Sequence, residues 1–246
     1  ESELMELESQ FRCNGSDGYI AWLDDVLDIR KTANSDGFDL DYDIRVCDTP
    51  NEVRDLIFEK NKTNNKARLL AGYCWDWIAD GKNKSDVYDI TIPEFNFAMS
   101  WNLGNSTTWA IDPNSVSEIG CIHTAQGLEF DYVGVSIGND LRYENSKIVT
   151  DVKERAKTDQ SIKGINKLSQ ENHEKADKIA DEIIKNTYRT LMTRGQKGCY
   201  IYCTDKNLSN YLKKRLNQKD EIIYPINDEE ITSNEMVAED SEEYKY

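Results

Sequence analysis

Gly120-Cys121-Ile122-His123-Thr124-Ala125-Gln126-Gly127-Leu128-Glu129-Phe130-Asp131-Tyr132-Val133-Gly134-Val135 is the stretch on which the fold turns. An apolar run enters a polar turn, passes through a short helical turn and leaves as a second apolar run. The outer runs read as strands, and polar groups at such a strand end face a ligand cleft in an open parallel sheet.

Further along, Asn186 to Tyr202 reads as the end of a helix feeding a buried strand. The helix covers 183–193, and Cys199-Tyr200-Ile201-Tyr202-Cys203 is the strand. Arg194 therefore stands at the margin of the sheet, not in its core. A last helix covers 207–216.

Towards the N-terminus, residues 4–12 read as a strand that ends in a Gly/Asn/Asp loop over 13–18. Residues 19–30 place Ile20, Leu23, Val26, Leu27 and Ile29 at helical spacing. A short strand covers 42–47. Thr49 is placed to cap the next helix, with Pro50 in its first turn and Val53, Leu56 and Ile57 on its inner face. Residues 67–74 form another strand. Strands alternating with helices predict a parallel sheet covered by helices. Residues 75–118 break this rhythm and read as a loop-rich insertion with strands around 97–101 and 108–111. Strands return at 119–123 and 132–137, and the charged segment 152–185 reads as an exposed helical excursion that includes a solvated His173.

The reading is a three-layer α/β domain over 1–216 with a mainly parallel sheet, followed by an acidic extension over 217–246. Glu221-Ile222-Ile223-Tyr224 in that extension reads as a terminal edge strand.

The 246 residues carry 30 basic and 46 acidic side chains, a net charge of −16. The extension alone holds ten Asp/Glu against two Lys. Such a balance disfavours a sequence-blind nucleic-acid coat, yet leaves room for a local basic groove. No apolar run reaches the roughly 18 residues of a membrane span, and no apolar leader opens the chain. A cytoplasmic location with no membrane partner is expected. The first residue is Glu1, which suggests a piece of a longer protein or a processed chain.

Cysteines 13, 47, 74, 121, 199 and 203 form no CxxC pair, and His123 and His173 lack partners at zinc spacing. Reduced, buried thiols and no metal site are expected. There is no GxxxxGK[ST] loop, GxGxxG, GxSxG or HExxH. Gly195-Gln196-Lys197-Gly198 lacks the spacing to wrap a phosphate chain. The chain alone shows no complete catalytic constellation.

The stretch 120–135 resembles motif V of superfamily 1 helicases, a His-x-x-[Gln/Lys]-Gly-x-Glu-Phe pattern. Thr193-Arg194-Gly195 before a hydrophobic strand resembles motif VI, and Gln10-Phe11-Arg12 after a strand resembles motif IV. Their order is that of the second RecA-like domain. Over residues 1–216 the chain is most similar to the C-terminal part of a bacterial helicase-like family, domain of unknown function 2075, related to the Schlafen group. The phrases that carry this are residues 11–19, Ala71-Gly72-Tyr73-Cys74-Trp75-Asp76-Trp77, residues 127–135, and Arg155-Ala156-Lys157-Thr158-Asp159.

The resemblance implies a RecA-like, P-loop-NTPase-type domain without the Walker A loop. It implies the second motor domain of an ATP-dependent DNA or RNA helicase or translocase. ATP and Mg would be held mainly by an upstream RecA-like domain of the same protein, and single-stranded DNA or RNA would be the partner. The chain alone would hydrolyse nothing. By position, Arg194 matches the motif VI finger and Arg12 the motif IV arginine. Glu129 matches the glutamate that contacts the nucleotide ribose, and Gly127 sits beside it. His123, Thr124 and Gln126 match the stretch that couples the nucleotide site to single-stranded nucleic acid.

The usual motif VI tyrosine is five residues before its arginine. Here Tyr188 is six before Arg194, and Arg189 takes the nearer place. Arg189 reads either as a second phosphate contact or as a structural ion pair. Trp75, Trp77, Trp101 and Trp109 read as packing on the sheet edge, with base stacking as the alternative. The rival functional reading is an ATPase-derived interaction module without enzymatic activity, binding a protein partner or RNA.

Overall fold

The computed structural model describes residues 17–31, 42–78, 87–101, 108–127 and 129–217. Arg12, the strand expected over 4–12, and the acidic extension beyond Asn217 with its expected strand at 221–224 lie outside the described residues.

Five α-helices are described: α1 (Asp17–Val26), α2 (Pro50–Asn64), α3 (Ile165–Glu171), α4 (His173–Met192) and α5 (Lys206–Asn217). The strands are β1 (Asp43–Val46), β2 (Ala67–Ala71), β3 (Ile90–Ile92), β4 (Phe97–Trp101), β5 (Glu118–Gly120), β6 (Phe130–Ile137), β7 (Leu141–Glu144), β8 (Lys147–Thr150) and β9 (Gly195–Cys203). Seven strands form one sheet in the order β1-β9-β6-β2-β5-β4-β3, and β7 and β8 pair separately. All neighbours in the large sheet run parallel except β3 and β4. The fold is mixed α/β with a largely parallel central sheet.

The sequence explains the helices locally. Thr49 Oγ1 accepts the Glu52 N–H at 3.1 Å, and Pro50 opens α2. Asn65, with φ 57°, closes it in the left-handed region. Val53 and Ile57 on α2 pack with Leu69, Ala71 and Tyr200. The opposite face of the sheet receives α1, α4 and α5 through Leu23, Ile184, Tyr188, Leu191 and Leu212. Each of these large apolar side chains contributes roughly 1.5–3 kcal/mol by leaving water. Strands covered on both faces read as near-continuous apolar runs, as Cys199 to Cys203 does.

Several local expectations change. Residues 108–111 form a turn, not a strand. Ile111 N–H and Asp112 N–H both donate to Thr108 O, closing the turn, and Arg68 Nη2 takes the carbonyls of Ala110 and Asp112, each at 2.9 Å. Residues 90–92 add an edge strand in a region read as loop. The segment 152–185 is not uniformly exposed. It holds two 3₁₀ turns (Val152–Glu154 and Gln160–Ile162) with a buried Arg155 and Asp159 between them. No described helix is long and apolar enough to cross a membrane.

Candidate functional site

β5 and β6 run parallel and flank β2, so residues 121–129 must cross from the exit end of one strand to the entry end of the other. The crossover is short because it is pinned from within. Cys121 N–H donates to Thr124 Oγ1 at 2.7 Å, and that hydroxyl donates back to Cys121 O at 2.9 Å. Ala125 N–H reaches Cys121 O at 3.1 Å, closing one helical turn. Thr124 and Ala125 are buried, while His123, Gln126 and Gly127 face solvent. Gly127 has φ +73° with no neighbour near a built Cβ, so backbone geometry and not space asks for glycine there.

The two ends of the crossover meet different surroundings. His123 lies 6.0 Å, ring centroid to centroid, from Tyr73, which follows β2. Glu129 is exposed at the other end, and the next residue, Phe130, donates its N–H to Arg194 O at 3.0 Å. The crossover thus brings Glu129 and Arg194 to one edge of the sheet and leaves His123 near the other. Arg194 follows the last turn of α4, where Thr193 N–H still donates to Arg189 O and Arg194 N–H to Leu191 O. Its side chain is buried, at 6% exposure. After it, β9 carries a bulge at Gln196 and Lys197, and Lys197 Nζ pairs with Asp131 at 2.8 Å.

Arg189 Nε binds Asp24 on α1, whose other oxygen takes Arg30 Nε at 2.7 Å. Asp24 is 1% exposed, so two arginines hold one buried carboxylate and tie α1 to α4. Among the described residues, no group of three His, Cys, Asp or Glu side chains is spaced to hold a metal ion.

The family model for the Schlafen group 3 DNA/RNA helicase domain matches residues 1–205. The chain belongs to that family. It is also 24% identical over 221 residues to an uncharacterized protein of Saccharomyces cerevisiae, YPL245W, a match that takes in 84% of this chain and 47% of the yeast protein. The chain therefore spans about half the length of this relative. No solved structure matches it.

In this Schlafen group 3 domain the tryptophans divide in two. Trp101 is 1% and Trp109 3% exposed, so both are packing groups. Trp109 Nε1 donates to Glu118 at 3.1 Å, and its ring stands edge-on to Phe130. Trp77 is half-buried and stacks on Trp101 with 7° between the planes and 6.0 Å between centroids. Trp101 in turn meets Tyr73, which meets His123, so an aromatic row runs along the exit edge of the sheet.

Beneath that edge lies a charged cluster that the sequence did not flag as a site. Arg155 Nη1 binds Asp140 at 3.0 Å, and its Nε and Nη2 bind Asp159 Oδ2 at 2.8 and 2.5 Å; all three side chains are fully buried. Burial disfavours the Arg155 cation, but Asp140 and Asp159 outweigh it and hold the guanidinium pKa above its ordinary value. Tyr188, from α4, donates to Asp140 at 2.5 Å and accepts Gly138 N–H at 3.1 Å. Burial first, and Asp140 second, push the Tyr188 phenol well above its usual range. A Cβ on Gly72 would sit 2.3 Å from the Tyr188 hydroxyl, so the end of β2 must be glycine for the ring to enter. Ala156 N–H donates to Tyr73 O and Lys157 N–H to Asp76, which straps 155–157 over the aromatic row. The i, i+4 spacing of Arg155 and Asp159 was visible in sequence. Asp140, Tyr188 and the glycine gap were not.

Proposed function

We propose that this chain is the second motor domain of an ATP-dependent DNA or RNA helicase or translocase of superfamily 1 type. The single observation that carries the reading is the crossover 121–129. It joins an edge bearing His123 and stacked aromatics to an edge bearing Glu129 and Arg194, so a shift of one end is felt at the other. ATP with Mg supplies the phosphoryl group whose transfer drives the motor, and the Walker A and B half that holds it lies in an upstream domain. This chain contributes a guanidinium from Arg194 and a carboxylate from Glu129, whose backbones are joined through the Phe130 N–H to Arg194 O bond at 3.0 Å. An arginine that meets developing phosphoryl charge is worth roughly 10³–10⁵ in rate in other systems. Arg12 belongs to the same proposal as a second arginine. Arg189, committed to Asp24, serves it by fixing α4, the helix that ends at Met192, two residues before Arg194. His123, Thr124 and Gln126 form the nucleic-acid end, with Thr124 acting through the turn it caps.

The test is ATP turnover by the full-length parent with and without single-stranded DNA or RNA. Wild type is compared with Arg194→Ala, Arg194→Lys and Glu129→Gln. Stimulated turnover that collapses in both Arg194 variants while their melting curves stay native supports the proposal. Turnover by this chain alone that depends on Arg194 would overturn the half-site arrangement. A protein-binding module is favoured by one observation only, the net charge of −16, which suits a basic partner.

A further inference from the structure

Arg194 belongs to no regular element. α4 ends at Met192 and β9 begins at Gly195, so the residue stands in a two-residue joint. The last four carbonyls of an α-helix have no partner within the helix, and such an end frays unless they are taken. Here each of the four has a donor. Thr193 N–H reaches Arg189 O at 3.1 Å, and Thr193 Oγ1 reaches Thr190 O at 3.1 Å. Arg194 N–H reaches Leu191 O at 3.2 Å. The fourth, Met192 O, accepts from the hydroxyl of Tyr19 on α1 at 3.2 Å.

The pattern continues past the helix. Arg194 O accepts Phe130 N–H at 3.0 Å, and Gly195 O accepts the hydroxyl of Tyr42, just ahead of β1, at 3.1 Å. Three carbonyls around Arg194 are thus held from three parts of the chain: α1, β6 and the approach to β1. Tyr19 and Tyr42 are both buried, and their rings meet at 4.2 Å between centroids with 31° between the planes. A shift of one ring is therefore met by the other. α1 is in turn tied to α4 through Asp24 and Arg189. A Cβ on Gly195 would lie 2.2 Å from Gly198 O, so the bulge of β9 crowds the joint as well.

Two unrelated tyrosine bonds would each satisfy a buried carbonyl and do no more. Two that grip the carbonyls on either side of one arginine, and brace each other, set where its Cα lies and how its side chain leaves the backbone. That precision matters to chemistry, since a misplacement of about 1 Å can cost roughly 10²-fold in rate. We infer that Tyr19 and Tyr42 are positioning residues for Arg194, acting through the backbone of 192–195 without touching the nucleotide. The inference rests on the proposed role of Arg194 and extends it to two side chains outside the segments that resemble motifs IV, V and VI.

The experiment is steady-state ATP turnover by the full-length parent with saturating single-stranded DNA or RNA. Wild type is compared with Tyr19→Phe, Tyr42→Phe, the double variant, Arg194→Lys and Asp205→Ala. Phenylalanine keeps each ring and removes only the hydroxyl. Each single tyrosine variant lowers kcat at least about fivefold with KM for ATP within about twofold, and the double variant lowers kcat by roughly 10². Asp205 lies past the opposite end of β9, where it accepts Tyr143 N–H at 3.0 Å and Leu208 N–H at 2.8 Å. Asp205→Ala lowers the melting temperature and leaves kcat unchanged. A second readout does not depend on turnover. The Nε–Hε NMR resonance of Arg194 in this chain, identified by its loss in Arg194→Lys, shifts or broadens in both tyrosine variants, while that of Arg155 stays in place. Wild-type kcat or an unmoved Arg194 resonance in both tyrosine variants, beside collapsed turnover in Arg194→Lys, overturns this inference and leaves the motor proposal standing. So does a loss of kcat in Asp205→Ala equal to theirs, or a loss of turnover that resides in KM. Full turnover by Arg194→Lys overturns the motor proposal and this inference with it.

Discussion

Removing Arg155 tests the buried charge cluster most severely. Asp140, Arg155 and Asp159 are together one charge short of neutral, and none of the three side chains is exposed to water. The remaining acceptor capacity is met by Tyr188 on Asp140 and by the N–H and hydroxyl of Ser161 on Asp159. Arg155→Met keeps most of the side-chain volume but strands two buried carboxylates. Deleting one member of a buried pair typically costs about 3–5 kcal/mol, and two carboxylates lose their partner here, so the upper part of that range is expected. Native stability for a domain is only about 5–15 kcal/mol.

The structure also predicts an asymmetry. Asp140→Asn leaves Arg155 and Asp159 as a balanced pair and should cost clearly less than Arg155→Met. Tyr188→Phe removes one hydrogen bond to a charged group and should cost about 1.5–3 kcal/mol. The triple variant Asp140→Asn/Arg155→Met/Asp159→Asn removes the charges together and should recover part of the loss. Urea unfolding followed by tryptophan fluorescence reads all four. A loss below about 1 kcal/mol for Arg155→Met, or an Asp140→Asn penalty equal to it, would refute the reasoning.

Other predictions follow the same logic. Arg68 is fully buried and donates to the carbonyls of Asn65, Ala67, Ala110 and Asp112, with no carboxylate partner among the described residues. Arg68→Met should cost at least about 3 kcal/mol in urea unfolding, because several acceptors are left bare. Gly72→Ala should displace the Tyr188 ring and cost about 1–3 kcal/mol, seen as a lower melting temperature with a shifted tyrosine resonance. Burial raises the carboxyl pKa of Asp43, but bonds from Tyr200 and Arg45 outweigh it; Lys197 and Asn64 do the same for Asp131, and both end up below their ordinary values. A depressed folded pKa gives stability that is present above about pH 4 and is lost as pH falls through the folded value. Asp43→Asn and Asp131→Asn should therefore flatten the acid limb of a melting-temperature profile and leave the slope above pH 6 unchanged.

Much of the scaffold was legible because its signals are local. Thr49-Pro50 announces α2, and the run–turn–run of 120–135 announces a strand, a crossover and a strand. That Arg194 stands between α4 and β9 followed from a helix ending just before an apolar strand, but its side chain is buried at 6% exposure where the sequence had placed it outside the core. What stayed hidden depends on partners far away in sequence. Arg155 sits in a charged stretch that reads as solvated, and only Asp140 and the Tyr188 hydroxyl make its burial tolerable. Residues 108–111 have strand-like side chains, yet Arg68 captures the backbone there. The β7–β8 hairpin has alternating side chains around Asn145-Ser146, but each arm is only four residues long and lies between two stronger segments.

The order of strands also bears on how the chain is made. Among the described residues β1 pairs only with β9, and the bond from Tyr200 to Asp43 spans 157 residues of sequence. Tyr19 on α1 donates to Met192 O across 173 residues. Synthesis delivers N-terminal elements first, and domains generally fold as units while they emerge. Here α1 and β1 leave the ribosome before β9, the strand that β1 joins among the described residues, so a nascent chain that stalls before residue 203 leaves that pairing unmade. Such long-range pairing slows folding.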